Sequence, residues 1–256
     1  MKRWIAIILA LSVIGLAGCA GKPLEASESP EGLVSSITLE SSRFPVLNLD
    51  SPEAARINAE VREVYDESNY RLEQGWGMDC NADYYAALHG DVLSLIFCRS
   101  AMDWPDYIYQ TWHLNTKTGE PVQNRELLRI AGWAEEDFAD NLRRKINTFY
   151  DAQDIDYSIF PANFDEYDFE GMTGFNIQHY VMSAYRAKAL GELRDIEALQ
   201  LYWSNQNHII AVFEIGSIGG AMCYEVLVDS SLPDDALCEG EYPSVSFIRG
   251  NWELLE

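Results

Sequence analysis

The sequence predicts an α+β fold, an antiparallel sheet packed by two to three amphipathic helices. Three observations carry this expectation. Segments rich in β-branched and aromatic residues come in consecutive runs joined by turn signals, helical periodicity is confined to a few stretches grouped between those runs, and strands and helices do not alternate as they would in a doubly wound sheet. The 256 residues are 48% hydrophobic, enough for one large domain with its own core and too much for wholesale disorder.

Val34 to Leu39 alternates weakly and is read as a first strand. Phe44 to Leu49 then runs into Asp50-Ser51-Pro52-Glu53, where Ser51 can cap a helix and Pro52 can occupy its first turn. That helix places Ile57, Val61, Val64 and Tyr65 on one face and Arg56, Glu60, Arg62, Glu63 and Glu67 on the other, the pattern of a helix lying on a sheet. Strands follow around Tyr84 to Leu88, Val92 to Cys98 and Tyr107 to Leu114, with His89-Gly90 read as the first turn and Asn115 to Gly119 as the turn that ends the third. Leu127 and Leu128 mark a short helix or turn within Pro121 to Ile130.

Glu135 to Tyr150 is the clearest second helix, with Phe138, Leu142, Ile146 and Phe149 in one stripe. Its acids Glu135, Glu136 and Asp137 come first and Arg143, Arg144 and Lys145 later, which complements the helix dipole. A third helix is expected from Asn176 to about Leu190, using Ile177, Val181, Tyr185 and Ala189. Ala198 to Trp203, Ile209 to Ile215 and Cys223 to Val228 read as antiparallel strands, the first two joined by Asn205-Gln206-Asn207, and Val245 to Ile248 is a candidate for one more.

The N-terminus carries an address. Lys2 and Arg3 precede an apolar run from Trp4 to Leu16, and Leu16-Ala17-Gly18-Cys19 closes it. The run is shorter than the roughly 20 residues needed to span a bilayer, so it reads as a secretory signal. The closing box resembles that of bacterial lipoproteins, in which the thiol of Cys19 carries the lipid; an ordinary signal peptide with an incidental cysteine is the alternative. Residues 1–18 are thus expected to be the signal peptide, 19–34 a flexible tether and 35–256 the folded domain. Ala20, where Asp would indicate inner-membrane retention, leaves the leaflet open.

The full chain has 41 Asp plus Glu, 18 Lys plus Arg and a net charge of -23. Loss of Lys2 and Arg3 with the signal makes the balance more negative still. Such a chain lacks the basic stripe that neutralises phosphates, which argues against nucleic-acid partners. With Cys19 acylated, Cys80, Cys98, Cys223 and Cys238 remain in an oxidising compartment, and two disulfides are expected, Cys80 to Cys98 and Cys223 to Cys238. The first follows from a hairpin centred near His89 and the second from the turn at Asp229 to Pro233. No C-x-x-C spacing or histidine pair invites a metal.

No familiar nucleophile, zinc or phosphate-loop motif is present, so no catalytic residue, metal or cofactor is assigned. His89, His113, His179 and His208 fall on four separate elements and read as turn or surface histidines. The densest acidic stretch runs from Asp151 to Glu170, interleaved with Tyr157, Phe160, Phe164, Tyr167 and Phe169. Asp165, Glu166, Asp168 and Glu170 are its candidate partner surface, with a solvated loop and a cation site as the other readings. Tryptophans such as Trp112 and Trp203 could fill the core or stack on sugar rings.

Phe44-Pro45-Val46-Leu47, Ile57-Asn58, Leu93-Ser94-Leu95, the stretch Trp112 to Gly119 followed by Glu126-Leu127-Leu128, and Ile209 to Ile215 with Gly219-Gly220 occur in an order that resembles the extracytoplasmic domain shared by the peptidoglycan deacetylase PdaC and the lysozyme-sensing anti-sigma factor RsiV. The resemblance covers roughly residues 35 to 250. It departs at Ala101 to Asp106, which replaces a Gly-Gly-Ala-His-like stretch, and neither a deacetylase domain nor a cytoplasmic sigma-binding segment accompanies it. What the resemblance implies is a non-catalytic envelope domain, held to the membrane through lipid on Cys19, that meets cell-wall glycan or a cationic lysozyme-like protein. A glycan-active enzyme using carboxylates and a structural envelope lipoprotein are the alternatives.

Overall fold

The computed structural model describes residues 30, 32–75, 82–100, 107–152, 185–214 and 225–231. Their elements are β1 (Val34–Leu39), β2 (Ser42–Leu47), α1 (Pro52–Glu73), β3 (Ala82–His89), β4 (Val92–Ser100), β5 (Tyr107–Asn115), α2 (Asn124–Ile130), α3 (Glu135–Asp151), a 3-10 turn (Ile196–Ala198), β6 (Gln200–Trp203), β7 (Ile209–Glu214) and β8 (Glu225–Asp229). Residues 185–192 are also helical, here α4, with a sequence-predicted start at Asn176 that lies outside the described residues. The strands form antiparallel sheets β1-β2, β3-β4-β5 and β6-β7-β8. The chain is therefore α+β, with antiparallel pairing throughout the described sheets.

The central sheet is buried on both sides, and β4 shows why. Its sequence Val92-Leu93-Ser94-Leu95-Ile96-Phe97-Cys98 is a nearly continuous apolar run, as expected of a strand covered on both faces. Val92, Ile96 and Cys98 join one core with α2, α3 and β6-β7. Leu93, Leu95 and Phe97 join the other with β2 and α1. Successive strand residues point to opposite faces, so this single strand supplies both cores.

On the second face, α1 starts where the sequence places it. The Ser51 side chain accepts from the Ala54 amide at 3.1 Å, and Pro52 sits in the first turn. Ile57 and Val61 are buried, with Val64 and Tyr65 packed beside them. Asn58 fastens the helix to β2 by two bonds, accepting from the Leu47 amide at 2.7 Å and donating to the Leu47 carbonyl at 2.9 Å. β2 meets β3 through the Ala82 amide, which donates to Ser42 Oγ at 3.0 Å.

The first core is closed by α3, whose stripe Phe138, Leu142, Ile146 and Phe149 is fully buried as its spacing predicts. Lys145 departs from expectation: it is buried, with Nζ donating to Asn141 Oδ1 at 3.0 Å, and the last turn of α3 holds no basic residue to complement the dipole. Asn124 links α2 to the 3-10 turn by donating to the carbonyls of Ile196 and Leu199, each at 2.7 Å.

The β3-β4 register differs from the sequence reading. His89 pairs with Val92, so the turn is Gly90-Asp91 and His89 is the last strand residue. Gly90 has φ 59 and no positive φ occurs at Asp91, the pattern of a two-residue type II′ hairpin. Cys98 consequently faces Asp83 across the ladder and not Cys80. Cys19, Cys80, Cys223 and Cys238 lie outside the described residues, as does the strand expected at Val245 to Ile248.

Candidate functional site

Two features of the described residues bear on function, an acidic corner on the surface and a polar seam in the interior. The corner is built where the 3-10 turn, α2 and the first turns of α3 meet. Glu135, Glu136, Asp137 and Asp140 are exposed on α3, Glu126 on α2 and Asp195 beside the turn. Three of these acids occupy the first turn of α3, where they offset its unpaired amides.

Three arginines at this corner are already engaged. Arg125 Nε bonds Glu135 Oε2 at 2.8 Å while its Nη1 lies 3.7 Å from Glu197 Oε1. Arg129 pairs with Glu126 at 3.4 Å, and Arg143 pairs with Asp140. The pattern repeats across the molecule. On α1, Arg56 pairs with Glu53 and Glu60, Arg62 with Asp66 and Arg71 with Glu67. Arg43 meets Asp83, Lys117 meets Asp91, and Arg186 meets Asp151 at the start of the acidic stretch. The hydrogen bond from Arg56 holds the Glu53 carboxyl below the ordinary carboxylate range. Of the candidate partner surface itself, Asp165, Glu166, Asp168 and Glu170 lie outside the described residues.

The seam was not apparent in the sequence. His89 and His113 are buried, at 7% and 6% exposure, not surface residues. Ser94 on β4 faces His113 on β5 across the ladder, His89 at the end of β3 lies diagonal to Ser94 on the same face, and all three meet β6 or the turn after it. His89 stacks on Trp203 with ring centroids 3.9 Å apart and planes within 4°, and its Nε2 lies 3.0 Å from the Ser204 carbonyl. A carbonyl only accepts, so Nε2 carries the proton. Ser94 Oγ accepts from the Trp203 amide at 2.9 Å. Neither His113 ring nitrogen has a hydrogen-bond partner, although the Leu201 backbone comes close enough to offset part of its desolvation.

Burial lowers the pKa of both imidazoles, that of His113 to about 4. The His89 shift is opposed by the Ser204 and Trp203 backbone. His208 joins the same region through its amide, which donates to Ser204 Oγ at 3.3 Å; His179 lies outside the described residues. The seam is walled by Trp203, and no buried carboxylate among the described residues stands beside it. Of the two imidazoles, only that of His89 bonds the central sheet to the β6-β7 turn.

Trp203 is core, while Trp112 and Trp133 are partly buried, the latter edge-on to Phe138 at 5.5 Å. Among the described residues, no group of three His, Cys, Asp or Glu side chains could hold a metal ion, and no helix is long and apolar enough to cross a membrane. Comparison of the chain with protein-family models and with curated proteins finds no match.

Proposed function

We propose that this chain is a non-catalytic binding or sensing module of the bacterial cell envelope, anchored through lipid on Cys19, that captures a cationic wall-associated protein of the lysozyme type. The reading rests on the signal and Cys19 box, on the resemblance to the PdaC and RsiV extracytoplasmic domain, and above all on one observation about charge. At the places just named the described cations are already paired with neighbouring carboxylates, and the chain as a whole carries 41 acids against 18 bases, a surplus of negative charge that these cations leave unbalanced. A field of one sign steers a basic partner and is screened by salt. Asp165, Glu166, Asp168 and Glu170 are the proposed centre of contact.

The test is binding of a basic lysozyme to the full chain in nonionic detergent at 50 and 300 mM NaCl. Affinity is expected to fall at least tenfold between the two, chiefly through a slower association rate, and to fall again in the charge-reversed variant Asp165→Lys, Glu166→Lys, Asp168→Lys. Binding that ignores salt and charge reversal, or retention by purified glycan with none by lysozyme, would reject this reading.

A further inference from the structure

We infer that the seam of His89, Ser94 and His113 is an acid-operated latch, at which protonation of His113 releases β6, with β7 and β8, from the central sheet while α1 and β1-β2 stay in place. The inference is independent of the identity of any partner.

Geometry carries it. β6 meets one polar group from each strand of the central sheet, but the three are unequal. The Ser94 bond is neutral and indifferent to acid over the relevant range. His89 can accept a second proton with some compensation, because its ring lies flat on Trp203 and an imidazolium there gains a cation–π contact while keeping its bond to Ser204. His113 has no such outlet. Neither of its buried nitrogens makes a hydrogen bond, and the Leu201 backbone offsets only part of the desolvation, so a proton adds a charge that its surroundings receive poorly.

The ionisable neighbours in the same core are Tyr85 on β3, Cys98 on β4, Tyr109 on β5, Tyr202 on β6, His208 in the β6-β7 turn, Lys145 and Tyr150 on α3, and Tyr185 on α4, a helix that also carries Glu192, whose carboxyl is pushed up by partial burial. Among the described residues no carboxylate is fully buried with them. Lys145 is the cation, held by Asn141, and could only repel a second positive charge. Glu197 is engaged by the amides of Asn124 and Arg125 at the edge of this layer. Among the described residues the buried histidines are His89 and His113, both on this face, which is why acid should loosen one layer and spare the other.

Once β6 lifts, His113 regains the ordinary imidazole value near 6.5, against about 4 when buried. Opening therefore takes up a proton between those limits, and its equilibrium constant rises roughly eightyfold from pH 8 to pH 4.5.

Hydrogen exchange of the full chain, corrected for intrinsic rates, tests this between pH 7 and 4.5. Peptides covering 200–203 and 209–214 are expected to gain at least tenfold in exchange, reversibly, while those covering 52–73 do not. His113→Phe and His113→Gln, neither of which can be protonated here, should each remove most of that gain, leaving only the smaller part that His89 contributes. Should neither variant fold, the wild-type imidazole followed by carbon-labelled histidine NMR still decides, since His113 must titrate below pH 5 together with shifts in β6. A simultaneous rise in β6-β7 and α1, an unchanged exchange in β6-β7, or a gain that persists undiminished in the folded variants would overturn the latch.

Discussion

Gly119 and Glu40 both hold left-handed backbone, with φ 74 and 51, and only the first has the residue suited to it. At Gly119 a Cβ would also lie 2.3 Å from the Cβ of Ser51, the residue that caps α1. Gly119→Ala is therefore expected to cost about 2 to 3 kcal/mol, the sum of a left-handed alanine and a disturbed cap. Glu40→Gly should act the other way, by roughly 0.5 kcal/mol, because relief of the left-handed strain slightly exceeds the added freedom of the unfolded chain. Urea midpoints at unchanged slope measure both; a neutral Gly119→Ala would mean that the turn does not press on the cap. His113 adds a pH term at the same scale. Above pH 6.5 the imidazole is neutral folded or unfolded and contributes nothing. From 6.5 down to about 4 the unfolded chain binds the extra proton, and stability falls by about 3 kcal/mol. The difference between wild type and His113→Gln isolates this term from the carboxylates that titrate in the same range.

The elements were legible where local physics decides them. The α1 and α3 stripes, the Ser51 cap and the Asn115 to Gly119 turn are all written in spacing and side-chain chemistry, and the structure reproduces them. The turn before His208 is legible too, since Asn207 adopts φ 66 as asparagine tolerates. What local pattern could not reveal is partnership across the chain. His89-Gly90 looked like a turn because Gly followed a polar residue, yet Gly90-Asp91 alone makes the two-residue hairpin, and that shift turns His89 toward Trp203 over 100 residues away. His113 gave no signal at all, for a histidine in a strand looks the same whether its face meets water or a second sheet. The candidate surface at Asp165 to Glu170 stays a reading from sequence composition alone. Asn58 is the element-scale counterpart of these long-range contacts, visible only as a polar residue beside Ile57. Replacing it with Asp keeps the acceptor for the Leu47 amide but sets a carboxylate against the Leu47 carbonyl. Asn58→Asp should destabilise by about 2 kcal/mol and Asn58→Ala by about 1 to 3. Equal stability of either variant with wild type, by urea unfolding, would show that apolar packing alone holds α1 on β2.

At the scale of the whole molecule two electrostatic effects oppose each other, and their sizes decide the sign. Local ion pairs such as Arg62 with Asp66 and Arg71 with Glu67 are exposed, each worth about 0.3 to 0.5 kcal/mol, and salt weakens them. The net charge of -23 repels itself in the compact state. Spread over a sphere of about 20 Å radius, that repulsion falls by on the order of ten kcal/mol more in the folded than in the unfolded chain between 0.01 and 0.5 M salt. The surplus charge outweighs the pairs, so salt should stabilise this protein while weakening its grip on a basic partner. Raising NaCl from 0.01 to 0.5 M is expected to raise the melting temperature by at least about 5 °C. A fall would mean that the local pairs dominate, and that the surplus acids sit far enough apart not to act as one field, which would remove the physical basis for steering a cationic protein as well.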